Sequence, residues 1–105
     1  MLAAIKIKIG NNVMIGAQSM IIDTDFHHSD PNKRHDRTDI PARPIIIEDN
    51  VFIGANCTIL KGITIGENSV IGAIRVVINS MPKNSIVIGN PCKVVIIKNW
   101  NLFAT

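Results

Sequence analysis

From Ile47 to Val76 the chain reads IEDNVF IGANCT ILKGIT IGENSV IGAIRV, and every block of six opens with isoleucine. A helix would repeat its apolar residues every three or four positions and a lone strand every two, so a period of six fits neither. It does fit short strands joined by tight corners, with the first and fifth residue of each block pointing inward. Position four supports this, being Asn50, Asn56, Gly62 and Asn68. Asn and Gly tolerate the left-handed backbone that a sharp corner needs. Position five is Val51, Cys57, Ile63 and Ser69, small or branched as a narrow interior requires.

The same rhythm extends outward. Upstream stand IGNNVM from Ile9 and IGAQSM from Ile15, with Ile21 heading a third block; downstream, Val77 heads another. Asn12 holds position four in its block, and Gln18 is the near exception. Ordinary hairpins would not keep so strict a period, whereas repetition at a fixed interval marks a solenoid. The expectation is one all-β domain over residues 1–105, with an inserted loop at about 23–44 and a tail at about 92–105.

The loop opens with DTDFHHSDPNKRHDR, from Asp23 to Arg37, and holds all three histidines of the chain. Pro31, Pro41 and Pro44 punctuate it. A structureless segment of this length is uncommon in a compact domain and is usually functional or disordered. A solenoid accepts such insertions at its corners because each coil contacts only its neighbours. Most of the charges, Asp30, Lys33, Arg34, Asp36, Arg37 and Asp39, read as a solvated surface. The histidines are different: His27 lies where the ladder stops, His28 beside it and His35 in the loop body. An imidazole, with an ordinary pKa of ~6.5, can accept a hydroxyl proton at neutral pH.

These blocks resemble the hexapeptide repeat of left-handed parallel β-helix proteins, three blocks to a triangular coil. The left hand is implied by that resemblance and not by the period, since parallel crossovers are ordinarily right-handed. The likeness runs from Ile5 to about Val95 and includes GNPCKV, from Gly89 to Val94. It is closest to sugar O-acetyltransferases of the maltose and galactoside group and to polysaccharide O-acetyltransferases. In that family a loop histidine within a pattern like DTDFHP is the general base, which matches DTDFHH here at His27. Asp25 is a candidate to orient its ring. The resemblance further implies acetyl-CoA in a groove between subunits of a homotrimer, Ala55 and Ala73 as small residues beside the pantetheine, and Lys93 near the nucleotide phosphates. For the two alanines simple corner sterics is the competing account.

Other classes fare poorly. The net charge of +3 is mild and its basic residues are scattered, without the stripe or interleaved aromatics that nucleic acid would need. No apolar run approaches the ~20 residues of a membrane span, and MLAAIKIKIG is too short and too alternating for a signal peptide. Two cysteines, Cys57 and Cys92, are too few for a disulfide framework, so a cytoplasmic place is expected. A histidine zinc site is disfavoured, because no histidine follows His35 and adjacent His27 and His28 point apart. Cys57, at an inward position, reads as a small buried hydrophobe rather than a nucleophile.

Several departures qualify the likeness. Phe52 stands where the family often has Trp. Ile74 occupies a corner position and Arg75 an inward one, so either the coil shifts or Arg75 turns outward. Ile78 and Asn79 replace a Thr-Lys pair expected beside the cofactor, and family coils that precede Ile5 are missing. The expected activity is acetyl transfer from acetyl-CoA to a hydroxyl of a sugar or polysaccharide precursor. The alternative is a truncated, inactive hexapeptide protein serving as a structural or interaction module.

Overall fold

The computed structural model describes residues 5–27, 29–36, 40–88 and 93–97. Its strands are short because each runs only from one corner to the next. The first coil carries β1 (Ile7–Ile9), β2 (Met14–Ile15) and β3 (Met20–Ile21). The second carries β4 (Ile45–Ile47), β5 (Phe52–Ile53) and β6 (Thr58–Ile59); the third carries β7 (Thr64–Ile65), β8 (Val70–Ile71) and β9 (Val76–Val77). Then follow β10 (Ser85–Ile88) and β11 (Lys93–Ile96). Three sheets result: face one is β1-β4-β7, face two is β2-β5-β8-β10-β11 and face three is β3-β6-β9. Every strand pairing is parallel except β10 with β11, which turns back antiparallel. This is a three-faced parallel β-helix.

Register shows how the coils are counted. Ile47 sits over Ile65, a step of 18 residues, whereas Ile9 sits over Ile47, a step of 38. The difference of twenty residues is the inserted loop, and it enters at one corner, between faces three and one. Beyond β9 the period breaks. Ile71 pairs with Val87, a step of 16, because the chain passes from Val77 to Met81 (bridged to Ile65) by a corner two residues shorter.

The block heads form the core. Ile21, Ile47, Ile53, Ile59, Ile65, Ile71 and Val77 are all buried in one cluster. Each isoleucine so removed from water contributes roughly 1.5–3 kcal/mol. Burial differs along one column: Ile15 on the first coil is 40% exposed, while Ile53 and Ile71 in line with it are 0% exposed.

Position four is the corner. Asn12, Gln18, Asn50, Asn56, Asn68 and Asn84 have φ between 56° and 63°, and Gly62 has 75°. Each corner also hangs from the one before it: the Asn50 N–H donates to the Asn11 carbonyl, Asn56 to Ala17 and Asn68 to Asp49. Ile74 obeys the same geometry, with φ of 59° and its N–H donating to the Ala55 carbonyl at 2.9 Å. The coil therefore does not shift at the departure; the backbone adopts the left-handed conformation with a β-branched residue in it. That costs about 1–2 kcal/mol, and Ile74 is 72% exposed, with little burial to offset the cost.

Position five holds more than size. Ser19 Oγ donates to the Gly54 carbonyl at 2.9 Å, Cys57 Sγ to the Gly72 carbonyl at 3.1 Å and Ser69 Oγ to the Pro82 carbonyl at 3.2 Å. In each case the acceptor is the second residue of the block one coil further on. Small polar side chains at this position thus tie successive corners together. Arg75 is the exception. It is half-buried, its Nη1 donates to the Ile74 carbonyl at 3.0 Å, and its Nε is buried without a partner. It has neither moved the coil nor swung fully into solvent.

Two outcomes are expected. Ile74→Asn, which restores the residue found at five other corners, should raise the unfolding free energy by about 1 kcal/mol in a denaturant titration. Cys57 should resist iodoacetamide in the folded protein and react after unfolding, read by mass mapping of its peptide, because a buried thiol bonded to a carbonyl is shielded from the reagent.

Candidate active site

The insertion begins where β3 ends. Ile22 still hangs from the ladder, its N–H donating to the Ile59 carbonyl, and Asp23 then closes the coil. Its fully buried carboxylate accepts from the N–H groups of Ile5 at 2.7 Å and Lys6 at 2.8 Å, which lead into β1. The carboxylate so caps the N–H groups at the entry to β1, much as a capping side chain does at a helix end. The Asp23 carbonyl accepts from Arg43 and the Pro41 carbonyl from Asp25, with Thr24 bridged antiparallel to Ala42. The two limbs thus form a narrow neck. Nothing in the sequence analysis assigned this work to Asp23; an acid directly after the Ile21-Ile22 pair was the available signal.

Beyond the neck the loop makes its own turns. The Asp30 carboxylate accepts from Asn32 N–H and its carbonyl from Lys33 N–H, and the Lys33 carbonyl accepts from Asp36. Arg34 Nη2 donates to the Ser29 carbonyl at 3.2 Å. These contacts fix the Arg34 carbonyl 3.1 Å from Nδ1 of His27. A carbonyl only accepts, so this contact requires the proton on Nδ1 and leaves the basic lone pair on Nε2. His27 is exposed, at the rim of the coils. His35 lies in the turn and is also exposed; His28 is outside the described residues. Among the described residues no three of His, Cys, Asp or Glu are grouped as metal ligands.

Asp25 does not touch the imidazole, contrary to the orienting role considered for it. Its carboxylate bonds Lys61 Nζ at 2.9 Å, and the group that meets His27 Nδ1 is the Arg34 carbonyl.

Ala55 and Ala73 stack one coil apart at a different corner, between faces two and three. A Cβ built on Gly54 would come 2.7 Å from Ala73 N, and one on Gly16 would strike the Ala55 backbone. The steric demand of this corner therefore falls on the glycines, and the alanine methyls are not required by it. Lys93 pairs with Ile88, next to Val87, whose carbonyl accepts from Gly72 N–H. Its backbone thus lies along the same corner, beyond Ala73. Phe52 is exposed on face two, between Met14 and Val70. Within one chain His27 and the alanine edge are separated by the whole of face three.

A concavity of about 390 Å³ lies elsewhere, lined by Lys8, Glu48, Asp49, Glu67 and Lys83 among others. Its acids serve the ladder: Asp49 Oδ1 accepts from Asn11 N–H and Glu48 Oε1 from Glu67 N–H. Among the described residues none of the loop lines it, and its walls come from stacked corners.

Residues 6–22 and 44–73 match the family model described as the hexapeptide repeat of succinyl-transferase. The galactoside O-acetyltransferase of Lactococcus lactis is 41% identical over 86 residues, which are 82% of this chain and 41% of that protein. A galactoside acetyltransferase in complex with coenzyme A superposes with a TM-score of 0.79 at 36% identity, covering 90% of this chain and 46% of the other. A hexapeptide-repeat acetyltransferase of Vibrio cholerae complexed with acetyl coenzyme A gives 0.74 at 36% identity, over 85% and 48%. The chain spans less than half the length of the curated relatives it matches. The repeat, the sequence and the fold are all similar to those of hexapeptide-repeat acetyltransferases, and the chain belongs to the left-handed β-helix proteins of that family.

Proposed function

We propose that this chain carries the transfer site of an acetyl-CoA-dependent O-acetyltransferase whose acceptor is a hydroxyl of a sugar or polysaccharide precursor. The observation that carries the reading is the His27 ring, held at Nδ1 by the Arg34 carbonyl with Nε2 left as a base at the rim of the coils. Acetyl-CoA supplies the activated acetyl group as a thioester. Nε2 removes the acceptor's hydroxyl proton as that oxygen attacks the thioester carbonyl; the carbon–sulfur bond then breaks, and the imidazolium returns the proton to the departing thiolate. Ester and free thiol leave, and His27 is neutral again.

The corner at Ala55 and Ala73 fits the slender arm of the co-substrate. The third residue of each block here is an alanine, Ala55 or Ala73, presenting no more than a methyl group, and the reading takes Lys93, further along, as a cation for phosphate. Because face three separates this edge from His27, the reading completes the site between two subunits of a homotrimer. An outward apolar row supports such packing: Met14, Phe52, Val70, Ile86 and Val95 follow one another in register across face two, whereas face one shows Lys8, Ile46 and Thr64. Among the described residues no helix is long and apolar enough to cross a membrane. The reading places the protein in the cytoplasm, a reducing compartment suited to the unpaired thiol of Cys57.

Thiol release from acetyl-CoA across a panel of sugars should depend on the acceptor, and His27→Ala should lower it by roughly 10²–10⁴-fold. Release that survives the substitution would remove His27 as the base. No release from the unaltered protein, with no coenzyme A binding by calorimetry, would favour the structural or interaction module suggested by Ile74, Arg75 and Asn79. Sedimentation equilibrium should return three chains per particle, and Phe52→Asp on the apolar row should shift it toward the monomer.

A further inference from the structure

The turn that delivers His27 is strained. His27 N–H donates to the carbonyl of Asp25, two residues back, at 2.7 Å, and Phe26 between them has φ of 62°. A γ-turn with positive φ is the rarer of the two forms, and a bulky residue in it persists only where its surroundings hold it. Three contacts do so. Thr24 Oγ1 accepts from Phe26 N–H at 3.1 Å, the Pro41 carbonyl accepts from Asp25 N–H at 2.9 Å, and Lys61 Nζ meets the Asp25 carboxylate at 2.9 Å.

Asp25 is therefore a hub. Its N–H holds the opposite limb of the neck, its carbonyl closes the turn on His27, and its carboxylate reaches out of the loop altogether. Lys61 is what it reaches. That lysine belongs to the corner between β6 and β7, one coil on from the loop's exit, beside Gly62 with φ of 75°. The corner is tied to the third coil by Leu60 N–H on the Val77 carbonyl. Of the three contacts, only the one to Lys61 connects the turn to the solenoid rather than to the loop itself. The two side chains are 31% and 33% exposed. Such pairs add little to global stability, so the value of this one lies in where it holds the chain.

We infer that Lys61 is a positioning residue for the reaction at His27: through Asp25 it clamps the strained turn to the rigid coils and so aims the imidazole. The inference rests on His27 being the base. It assigns a task to a lysine 34 positions away in sequence that touches no reacting atom.

Long-range proton–nitrogen spectra of the full chain test it, with the His27 signals identified by their loss in His27→Gln. In the unaltered protein His27 should show the single Nδ1-protonated tautomer. Lys61→Met, which keeps the stem and removes the charge, should give a mixture of tautomers and a several-fold faster exchange of the His27 amide. Lys61→Arg should restore both. Asp25→Asn should reproduce Lys61→Met, and the double variant should be no worse than either, as expected for two ends of one contact. In the thiol-release assay Lys61→Met should lower kcat by about 10-fold or more, within the ~10²-fold that a misplaced group can cost, with KM for acetyl-CoA unchanged. An unchanged tautomer and amide exchange in Lys61→Met would overturn the clamp, whatever the activity. If the imidazole loosens in that variant while His27→Gln retains full turnover, the clamp stands and the chemistry assigned to His27 falls.

Discussion

Each coil must set its inward residue directly over that of the coil before. A strand of two or three residues makes too few hydrogen bonds to stand alone, so the ladder exists only if the next coil arrives in register. The column from Ile9 through Ile47 to Ile65, and its partners from Ile15 and Ile21, provide that register by stacking one branched apolar side chain on another at each pass. All else hangs on this spacing. A one-residue slip would turn every buried isoleucine outward. The parallel ladder therefore follows from the apolar column as much as it supports it.

What could be read from the sequence is what a single residue imposes on its own backbone or its own side of a strand. Isoleucine at each block head and asparagine at each corner are demands of that sort, and both were legible, down to the strained position of Ile74. What could not be read depends on a neighbour one coil away. Glycine at position two is required by the backbone of the next corner, as Gly54 is by Ala73. Serine and cysteine at position five looked merely small; they are donors to carbonyls that only the stacked coil brings near. Arg75 is unusual for the same reason. Where Ser19 and Cys57 find an acceptor in the following coil, the chain beyond Val87 turns back in a hairpin, and the arginine's Nε remains without one.

The histidine loop was still less legible. His27 was singled out by a family likeness, not by period or composition. Its ring partner, the Arg34 carbonyl, is a backbone atom with no signature of its own, and Asp25 finds Lys61 across 36 residues. Among the described residues the loop is held by its neck, by local turns and by the tether to Lys61, parts that carry ordinary loop composition.

The neck at Thr24 and Ala42 has a consequence for how such a chain can change over time. Because the two limbs meet there, the twenty extra residues leave and rejoin the solenoid at almost the same point, and the coils on either side keep their alignment as if the corner were uninterrupted. Lengthening a closed excursion adds only about 0.6 kcal/mol of entropy for each doubling. The scaffold and its excursion can therefore diverge independently. A different loop can be tried by exchanging what lies beyond the neck, provided that the chain keeps an acid at position 23 to cap the first strand and a charge to meet Lys61. In that sense the fold works as a socket, and the histidine loop as an interchangeable tool seated in it.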